Sequence, residues 1–312
     1  MKRVVWLICI LLTLPIRASQ AVTYELSPGR FGDNLISYIH AKWISYKYRI
    51  PLLYKPFIYS SSLVLHDVEL PYAQYAKNFK KVVYLGRKRN VNSQDGSVLY
   101  VVPYFPESKW ELKHGKSFAG GAWDYIEVDW QDAGFIQELR KVIKPRTSLA
   151  AMPLPQDRVA VAIHVRKGGN YDTPETLPGF PLKFLPTELY VQQLKEVHKL
   201  LNNRPLYVYL FTDDNNPLAL MHVFQNAFCG CDIQFDCRKQ GNSDTRNVLE
   251  DFFALQQFDC LVHSESNFSF IMSKIGNYMV TLFPDSFYKD RGQIVYDHIK
   301  LTINRDHYKF SQ

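Results

Sequence analysis

The chain has 312 residues, of which 46% are hydrophobic and 14% aromatic, and this composition excludes a disordered protein. Its formal net charge of +7 is moderate for this length. The basic runs Lys80–Lys81 and Arg87–Arg89 are too short to indicate a nucleic-acid partner, and we expect none. A mild positive field would instead help to collect a small anion.

The N-terminus carries the pattern of an export signal. Lys2 and Arg3 precede the apolar run Val4–Pro15, and the small residues Ala18 and Ala21 follow it. We predict a signal peptide over residues 1–21, which places the protein in the secretory pathway lumen or outside the cell. The alternative is a short signal anchor that stays uncleaved, and only then would the protein contact a membrane.

The cysteines fit an oxidising compartment without requiring one. An even number remains once Cys9 leaves with the signal: Cys229, Cys231, Cys237 and Cys260. Disulfides and buried thiols are both compatible with this number. The spacing is not that of a usual zinc finger, and we expect no metal site.

Strand and helix patterns alternate in the first half of the chain. They predict strands at Lys81–Leu85 and Val98–Val102 and a helix at Asp132–Ile143. The stretch Lys144–Pro155 has three prolines in twelve residues and little periodicity, which is typical of a linker. We therefore divide the mature chain into two domains, residues 22–150 and 151–312.

The second half has the regular alternation of a doubly wound α/β domain. Strands are predicted at Val159–Val165, Leu206–Phe211, Leu261–His263 and Tyr278–Phe283, and helices near Pro186–Leu201, Pro217–Ala227, Asn247–Phe258 and Asn267–Ile275. Ligands bind beyond the carboxyl ends of the strands in such a sheet. Distinctive polar residues follow three of these strands, and we expect them to share one site.

The most informative stretch runs from Val159 to Gly169. It is an apolar strand that ends in His164, Arg166 and the glycine pair Gly168–Gly169. Main-chain N–H groups at paired glycines can point at a ligand, and a guanidinium can grip a diphosphate through two hydrogen bonds. This combination indicates a site for a nucleotide-activated substrate. The structural alternative for Arg166 is a surface ion pair.

Four segments in order carry a family resemblance. The first, Ile163–Tyr171, is similar to the His-x-Arg-Arg-Gly-Asp-Tyr-like motif of fucosyltransferases of the α1,2, α1,6 and protein O-fucosyl type. Phe211–Asp214 resembles their second motif, and Glu250–Ser269 resembles their third. Near the predicted mature N-terminus, Gly29–Asn34 resembles their Gly-Arg-Phe/Leu-Gly-Asn-Gln segment. The spacing within the third motif is closest to the α1,2 branch.

The resemblance implies a GT-B architecture, in which two Rossmann-like α/β domains face each other across a cleft. It implies an acceptor-side domain at residues 22–150 and a GDP-sugar-binding domain at 151–312. The implied reaction moves fucose from GDP-fucose to a hydroxyl of a glycan or glycoprotein with inversion, without a metal or a cofactor. The alternatives are a catalytically silent GDP-sugar-binding protein of the same fold, suggested by departures at 33–34 and 169–170, and a secreted hydrolase.

The roles of the donor-binding residues follow from their chemistry and from the resemblance. Arg166 should pair with the diphosphate and stabilise the charge that grows on it. By resemblance His164 contacts the nucleoside, although a satisfied core histidine is the alternative. Asp213 falls in the second motif and is also predicted to bind the nucleotide. By resemblance Asp251 accepts the guanine N1 and N2 hydrogens, and the alternative is a carboxylate that complements a helix dipole.

The third motif ends in a turn that precedes a helix. This turn contains Ser266, Asn267, Phe268 and Ser269. Its hydroxyls and main-chain N–H groups can cap the helix and present its positive end to a phosphate. Capping alone is the alternative, and both interpretations can hold together.

The segment Gly29–Asn34 is implied to face the donor sugar and the acceptor. Arg30 is its first catalytic candidate. Asp33 is the second, either as a general base for the acceptor hydroxyl or only as a cap of a helix that begins at Asn34. Asp172 is displaced by inserted residues relative to the family motif, so we assign it no role.

Overall fold

A computed structural model describes residues 19–86, 90–104, 126–168, 173, 175 and 180–304. Within these ranges the protein is a mixed α/β structure with parallel sheets. Most of the predicted signal, residues 1–18, and the motif positions 169–172 lie outside the described residues.

The first half is built around a three-stranded parallel sheet with the strand order β1-β5-β4. Its elements are β1 (Gln20–Tyr24), α1 (Phe31–Tyr48), β2 (Leu53–Tyr54), α2 (Leu65–Val68), β3 (Leu70–Pro71), α3 (Tyr72–Tyr75), β4 (Lys81–Tyr84), β5 (Val98–Val102) and α4 (Ala133–Val142). The predicted strands at β4 and β5 and the predicted helix at α4 are confirmed to within one residue at each end.

The sequence patterns did not predict β1, which lies partly within the proposed signal. Gln20 and Ala21 pair with Val98 and Leu99 of β5. The Gln20 side-chain amide donates to the carbonyls of Asn92 and Asp95 at 2.7 and 2.5 Å. Cleavage after Ala21 would therefore remove two paired residues from the strand. The export signal over residues 1–21 remains a prediction.

The second half is a six-stranded sheet with the order β11-β10-β9-β6-β7-β8. Its elements are β6 (Val159–Val165), α5 (Thr187–Leu200), β7 (Leu206–Thr212), α6 (Pro217–Ala227), β8 (Ile233–Cys237), α7 (Val248–Ala254), β9 (Cys260–His263), α8 (Asn267–Ile275), β10 (Val280–Asp290) and β11 (Gln293–Ile303). Neighbouring strands are parallel except for β10 and β11, which form an antiparallel hairpin.

The strand order fixes where a ligand can bind. From β6 the chain winds outward through β7 to β8, and it then returns to β9 on the opposite side of β6. His164 at the end of β6 pairs with His263 at the end of β9. The winding direction reverses between these two strands, and doubly wound sheets bind ligands at the carboxyl ends of such a pair.

Two predicted elements of this half differ from the structure. The helix expected over Asn247–Phe258 is α7 followed by a separate 3₁₀ turn, Leu255–Gln257. The strand expected over Tyr278–Phe283 is only the start of β10, which continues through Pro284 to Asp290 with register shifts after the proline. A proline normally marks the end of a strand, so the pattern hid the rest of the hairpin.

The hydrophobic core continues from one half to the other. One cluster joins Phe31 of α1 to Phe252 of α7 and to Phe211, Leu261 and Ala162 on one face of the six-stranded sheet. Val161 points to the other face, where α5 and α6 cover a second cluster. The two sheets therefore share an apolar core, and the domain boundary near residue 150 remains a prediction.

Three further observations concern the expectations about membranes, cysteines and metals. Across the described ranges, no helix combines the length and the apolar character needed to cross a bilayer. Cys229 and Cys231 are exposed and Cys237 and Cys260 are buried, and all four are free thiols. In the same part of the chain, no group of three or more histidine, cysteine or acidic side chains is arranged to hold a metal ion.

Candidate functional site

A cleft of about 500 Å³ lies at the carboxyl edge of the six-stranded sheet, and the start of α1 also lines it. This volume is within the range of small-molecule sites. All but one of the predicted site residues line the cleft: Arg30, Asp33, His164, Arg166, Asp213, Asp251, Ser266, Asn267 and Phe268. The exception is Ser269. The fold thus brings segments from all four sequence motifs to one place.

Arg166 follows β6 and is fixed by the next strand of the sheet. Its Nη1 lies 2.6 Å from Oδ2 of Asp213, and the two side chains are only 11% and 8% exposed. Asp213 also accepts hydrogen bonds from the main-chain N–H groups of Lys167, at 2.7 Å, and Gly168. Gly168 has a φ of +90°, which suits a residue without a side chain. The guanidinium is therefore oriented before any ligand arrives.

Asp213 acts here as a positioning residue for Arg166 and for the loop after β6. Burial raises the pKa of Asp213 to about 6, although the Lys167 amide and Arg30 act in the opposite direction. The carboxylate is thus ionised near pH 7 and becomes protonated in mild acid. Its charge partly balances the positive charge of the cleft when no anion is bound.

The first turn of α8 opens onto the cleft. Ser266, the residue before the helix, makes no side-chain capping bond. The main-chain N–H groups of Asn267 and Phe268 have no acceptor among the residues that the structure describes. Unpaired N–H groups at a helix start carry partial positive charge and bind anions.

His164 lines the cleft and is also held by neighbouring side chains, and its contact with a nucleoside remains a prediction. Its ring stacks on Phe268 with centroids 5.3 Å apart, and its Nδ1 lies 3.0 Å from Oγ of Ser269. Burial lowers the pKa of His164 to about 4, so the ring is neutral near pH 7. Ser269 is fully buried. Ser269 contacts His164 and does not line the cleft, and its contact with a ligand remains a prediction.

The start of α1 supplies the opposite side of the site. The helix begins at Phe31 and not at Asn34, because Oδ2 of Asp33 accepts from the main-chain N–H of Arg30 at 3.1 Å. Oδ1 of Asp33 accepts from Nδ2 of Asn267 at 2.7 Å. Asp33 thus caps α1 and ties it to α8. This geometry favours the capping alternative, and the general-base role remains a prediction.

Gly32 allows the two helix starts to lie against each other. A Cβ atom at this position would lie 2.7 Å from the main-chain nitrogen of Phe268 and 3.2 Å from the carbonyl carbon of Asn267. The first of these contacts is shorter than Cβ atoms make in proteins, so an alanine at this position would force the two helix starts to shift apart. The absence of a side chain therefore places two positive helix ends at the same cleft.

The loop between β8 and α7 contributes residues that the sequence did not indicate. Oδ2 of Asp244 lies 2.5 Å from Nη1 of Arg30. The main-chain carbonyl of Thr245 accepts from Oη of Tyr59 at 2.8 Å. Both contacts cross from the second half of the chain to the first. We refer to Ser243–Arg246 as the bridging loop.

Asp251 lines the cleft, and a residue outside the motifs holds it. Nη2 of Arg238 contacts Oδ1 of Asp251 as an ion pair. Burial raises the pKa of Asp251, and the positive charge of Arg238 acts against that shift. Lys183 and Arg246 also line the cleft. These three basic residues lie in irregular segments, where no periodicity or motif indicates a site.

The arrangement can bind an anion with more than one negative charge. Three arginines, Arg30, Arg166 and Arg246, and two helix starts line the cleft, and Phe211 and Val248 add apolar surface to it. A charged group and a flat apolar group can therefore be held at neighbouring positions, as a nucleoside diphosphate requires.

Comparison with known proteins gives the following findings. No family model matches the chain, and no curated protein sequence matches it. The chain is similar to the solved structure of POFUT1 in complex with GDP-fucose, at 10% identity over 84% of this chain and 95% of that one, with a TM-score of 0.43.

Two further solved structures are similar. An Arabidopsis thaliana FUT1 variant in complex with GDP is 10% identical over 89% of this chain and 73% of that one, with a TM-score of 0.46. The α1,6-fucosyltransferase NodZ soaked with GDP-fucose is 10% identical over 92% of this chain and 100% of that one, with a TM-score of 0.43.

Proposed function

We propose that the protein is a GT-B glycosyltransferase that moves fucose from GDP-fucose to a hydroxyl of a glycan or glycoprotein, with inversion and without a metal or cofactor. One observation carries the proposal: Arg166 and the open first turn of α8 line the same cleft at the strand-order reversal. The order and spacing of the four sequence motifs support it, and their spacing favours the α1,2 branch.

In this proposal the donor lies along the carboxyl edge of the sheet. The diphosphate pairs with Arg166 and with the N–H groups of Asn267 and Phe268. The guanine base lies at Asp251, whose carboxylate accepts from N1–H and N2–H. His164 is neutral and flanks the nucleoside without adding charge.

The transfer step breaks the bond between the fucose anomeric carbon and the β-phosphate oxygen, and the bonding electron pair leaves with GDP. The acceptor oxygen attacks the opposite face of that carbon, which inverts its configuration. Arg166 and the α8 start stabilise the charge that develops on the leaving diphosphate, the function that a metal ion has in other transferases. The acceptor proton passes to a base. The sequence nominates Asp33 for this role, although its contacts with Arg30 and Asn267 favour a capping role.

The proposal also covers the cellular compartment of the protein and the side of the cleft where the acceptor binds. The predicted signal peptide at residues 1–21 would place the cleft in a secretory lumen or outside the cell. The acceptor side is formed by the start of α1 and by neighbouring loops, and loops of this kind determine acceptor choice.

The test is a product assay with GDP-fucose and a mixed glycan library, read by mass spectrometry and combined with GDP calorimetry. The proposal expects GDP binding and a fucosylated product. GDP binding with no product across the library would instead indicate a catalytically silent GDP-sugar-binding protein. Equal affinity for GDP and ADP, or no nucleotide binding together with hydrolysis of a glycan, would contradict the proposal.

A further inference from the structure

The pair formed by Arg238 and Asp251 lies where a base would bind. Arg238 follows β8, Asp251 lies on α7, and Nη2 of the arginine contacts Oδ1 of the carboxylate. Nε of Arg238 is buried, and no acceptor for it exists within the described part of the chain. Asn242 donates from Nδ2 to the Arg238 carbonyl at 2.6 Å, which holds the arginine's loop in place. Within the described residues, the Arg238 guanidinium therefore pairs with the carboxylate of Asp251.

The surroundings of Asp251 have the character of a slot for a flat ring. Val248 lies one helical turn before Asp251 on the same face of α7, and both line the cleft together with Phe211 at the end of β7. Arg238 does not line the cleft and contacts Asp251 from behind. We refer to Val248, Asp251 and Phe211 as the base slot. They offer a flat ring one carboxylate and two apolar side chains, and the carboxylate is the group among them that can distinguish one base from another.

The protonation state of this carboxyl group decides which purine it fits. Guanine presents two donors on its Watson–Crick edge, N1–H and N2–H, and an ionised carboxylate accepts from both. Adenine presents an acceptor at N1 and a donor at N6, which match a protonated carboxyl group that donates from its O–H and accepts at its carbonyl. The same residue can therefore favour either base.

The groups around Asp251 shift its pKa in opposite directions. Burial raises its pKa, and the neighbouring carboxylate of Glu250 acts in the same direction. Tyr209 of β7 faces the pair, and its own pKa is raised to about 12, so it stays neutral. The positive charge and the hydrogen bond of Arg238 oppose the shift. Among the groups that shift the pKa of Asp251, Arg238 is therefore the one that favours the ionised carboxylate.

We propose that Arg238 is a specificity-determining positioning residue: by pairing with Asp251 it holds an ionised, oriented carboxylate that accepts guanine and rejects adenine. This inference rests on the proposed function, because it assumes that a nucleotide base occupies the base slot. It assigns the choice between nucleotides to Arg238, a residue outside the four motifs. In this proposal the base does not contact Arg238.

The test compares GDP and ADP affinities by calorimetry at about pH 5.5 and about pH 8. Arg238→Gln is expected to lower the GDP-to-ADP affinity ratio about tenfold or more, with the larger loss at the lower pH, where more of Asp251 is protonated. Arg158→Gln is the matched control, because Arg158 forms a similar ion pair with Asp232 at 2.6 Å and does not line the cleft. The control is expected to keep the wild-type ratio.

A second variant tests whether Arg238 acts through Asp251. Asp251→Asn presents one donor and one acceptor, the pattern that adenine fits, so this variant should also shift the preference toward ADP. Adding Arg238→Gln to Asp251→Asn should change the ratio no further. Arg238→Met, which keeps the length of the side chain, replaces Arg238→Gln if the glutamine variant does not fold.

The outcomes separate the two proposals. If the wild-type protein binds GDP and the Arg238 variants keep its GDP-to-ADP ratio at both pH values, the inference about Arg238 is wrong and the proposed function stands. An equal loss of GDP and ADP affinity in these variants would show a structural role only and would also overturn the inference. If the wild-type protein binds neither nucleotide, the proposed function fails and the inference fails with it.

Discussion

Two of the arginines that line the cleft, Arg166 and Arg30, are held in different ways. Arg166 pairs with Asp213, which belongs to the same sheet and is itself fixed by two main-chain N–H groups. Arg30 pairs with Asp244, which lies on the bridging loop of the other half. Arg166 is therefore held by residues of its own half of the chain, whereas Arg30 pairs with a residue of the other half.

The largest expected effect comes from the arginine that the sheet holds. Arg166→Ala should weaken GDP binding about a hundredfold, because it removes a buried charge from the diphosphate position. Calorimetry measures the affinity, and thermal unfolding shows whether the variant is folded. Arg158→Ala removes a comparable ion-paired arginine away from the cleft, and its GDP affinity should match that of the wild type. A folded Arg166→Ala protein with wild-type affinity would contradict the comparison.

The contact between the helix starts should be the next most sensitive feature. Gly32→Ala forces a methyl group to within 2.7 Å of the Phe268 nitrogen. We expect a loss of about 1–3 kcal/mol in the free energy of unfolding, together with weaker GDP binding, because the two helices must separate. Chemical denaturation measures the loss. Gly96→Ala is the control, since a Cβ there meets nothing within 4 Å. Equal stability of the two variants would show that the close approach is unimportant.

Asp33→Asn separates a cap from a general base. A capping and tying role predicts a loss of about 1 kcal/mol in the free energy of unfolding and a pH–rate profile with an unchanged acidic limb. A general-base role instead predicts that the acidic limb disappears while GDP affinity is retained. Denaturation and the pH dependence of kcat/KM distinguish the two. The contacts of Asp33 with Arg30 and Asn267 lead us to expect the first result.

The cross-half pair should matter less for donor binding. Asp244→Asn removes the charge that holds Arg30, and we expect GDP affinity to change by less than about tenfold, because Arg166 and α8 remain in place. Calorimetry with GDP is the measurement, and Tyr59→Phe, which removes the hydrogen bond to Thr245, is the companion variant. A loss as large as that of Arg166→Ala would mean that both arginines contribute equally to donor binding.

The last expected effect concerns stability and not GDP binding: the protein should become gradually less stable in acid. Burial lowers the pKa values of His40 and His164 from 6.5 to about 4 and that of His263 to about 3. Below about pH 6.5 the unfolded chain binds protons that the folded protein does not, so the free energy of unfolding should fall as the pH drops toward 4. Asp213 acts against this loss of stability. Its pKa is raised from 3.8 to about 6, so between these pH values the folded protein binds a proton that the unfolded chain does not.

Thermal unfolding across this range measures the effect. His164→Gln cannot titrate and should reduce the slope, whereas His222→Gln, at an exposed position, should leave it unchanged. A melting temperature that stays constant or rises on acidification would contradict the assignment of neutral buried histidines.

Sequence patterns predict best the elements that are buried in the core, because burial gives them a clear hydrophobic pattern. The bounds of β6 and α8 match the structure, because β6 is apolar on both buried faces and α8 follows a clear turn signal. The patterns missed β1, which lies beside the apolar signal segment, and β11, whose mostly exposed residues give no strong alternation. Periodicity reports burial, so it is weakest at sheet edges and chain ends.

Position in the sequence also decides which of the cleft-lining residues can be predicted. His164 and Arg166 were predicted because a strand end fixes their position in the sequence as well as in space. Asp244, Arg238 and Tyr59 lie in loops or irregular segments, and only the tertiary fold brings them to the cleft or to Asp251. Asp213 was found by its motif, but its role in holding Arg166 needed the geometry.

The central claim is that Arg166 and the first turn of α8 bind one diphosphate together. A crystal structure of the protein with GDP tests this most directly. The account predicts diphosphate oxygens within hydrogen-bond distance of both the Arg166 guanidinium and the N–H groups of Asn267 and Phe268. A diphosphate bound elsewhere, or one that contacts only one of these two groups, would contradict it.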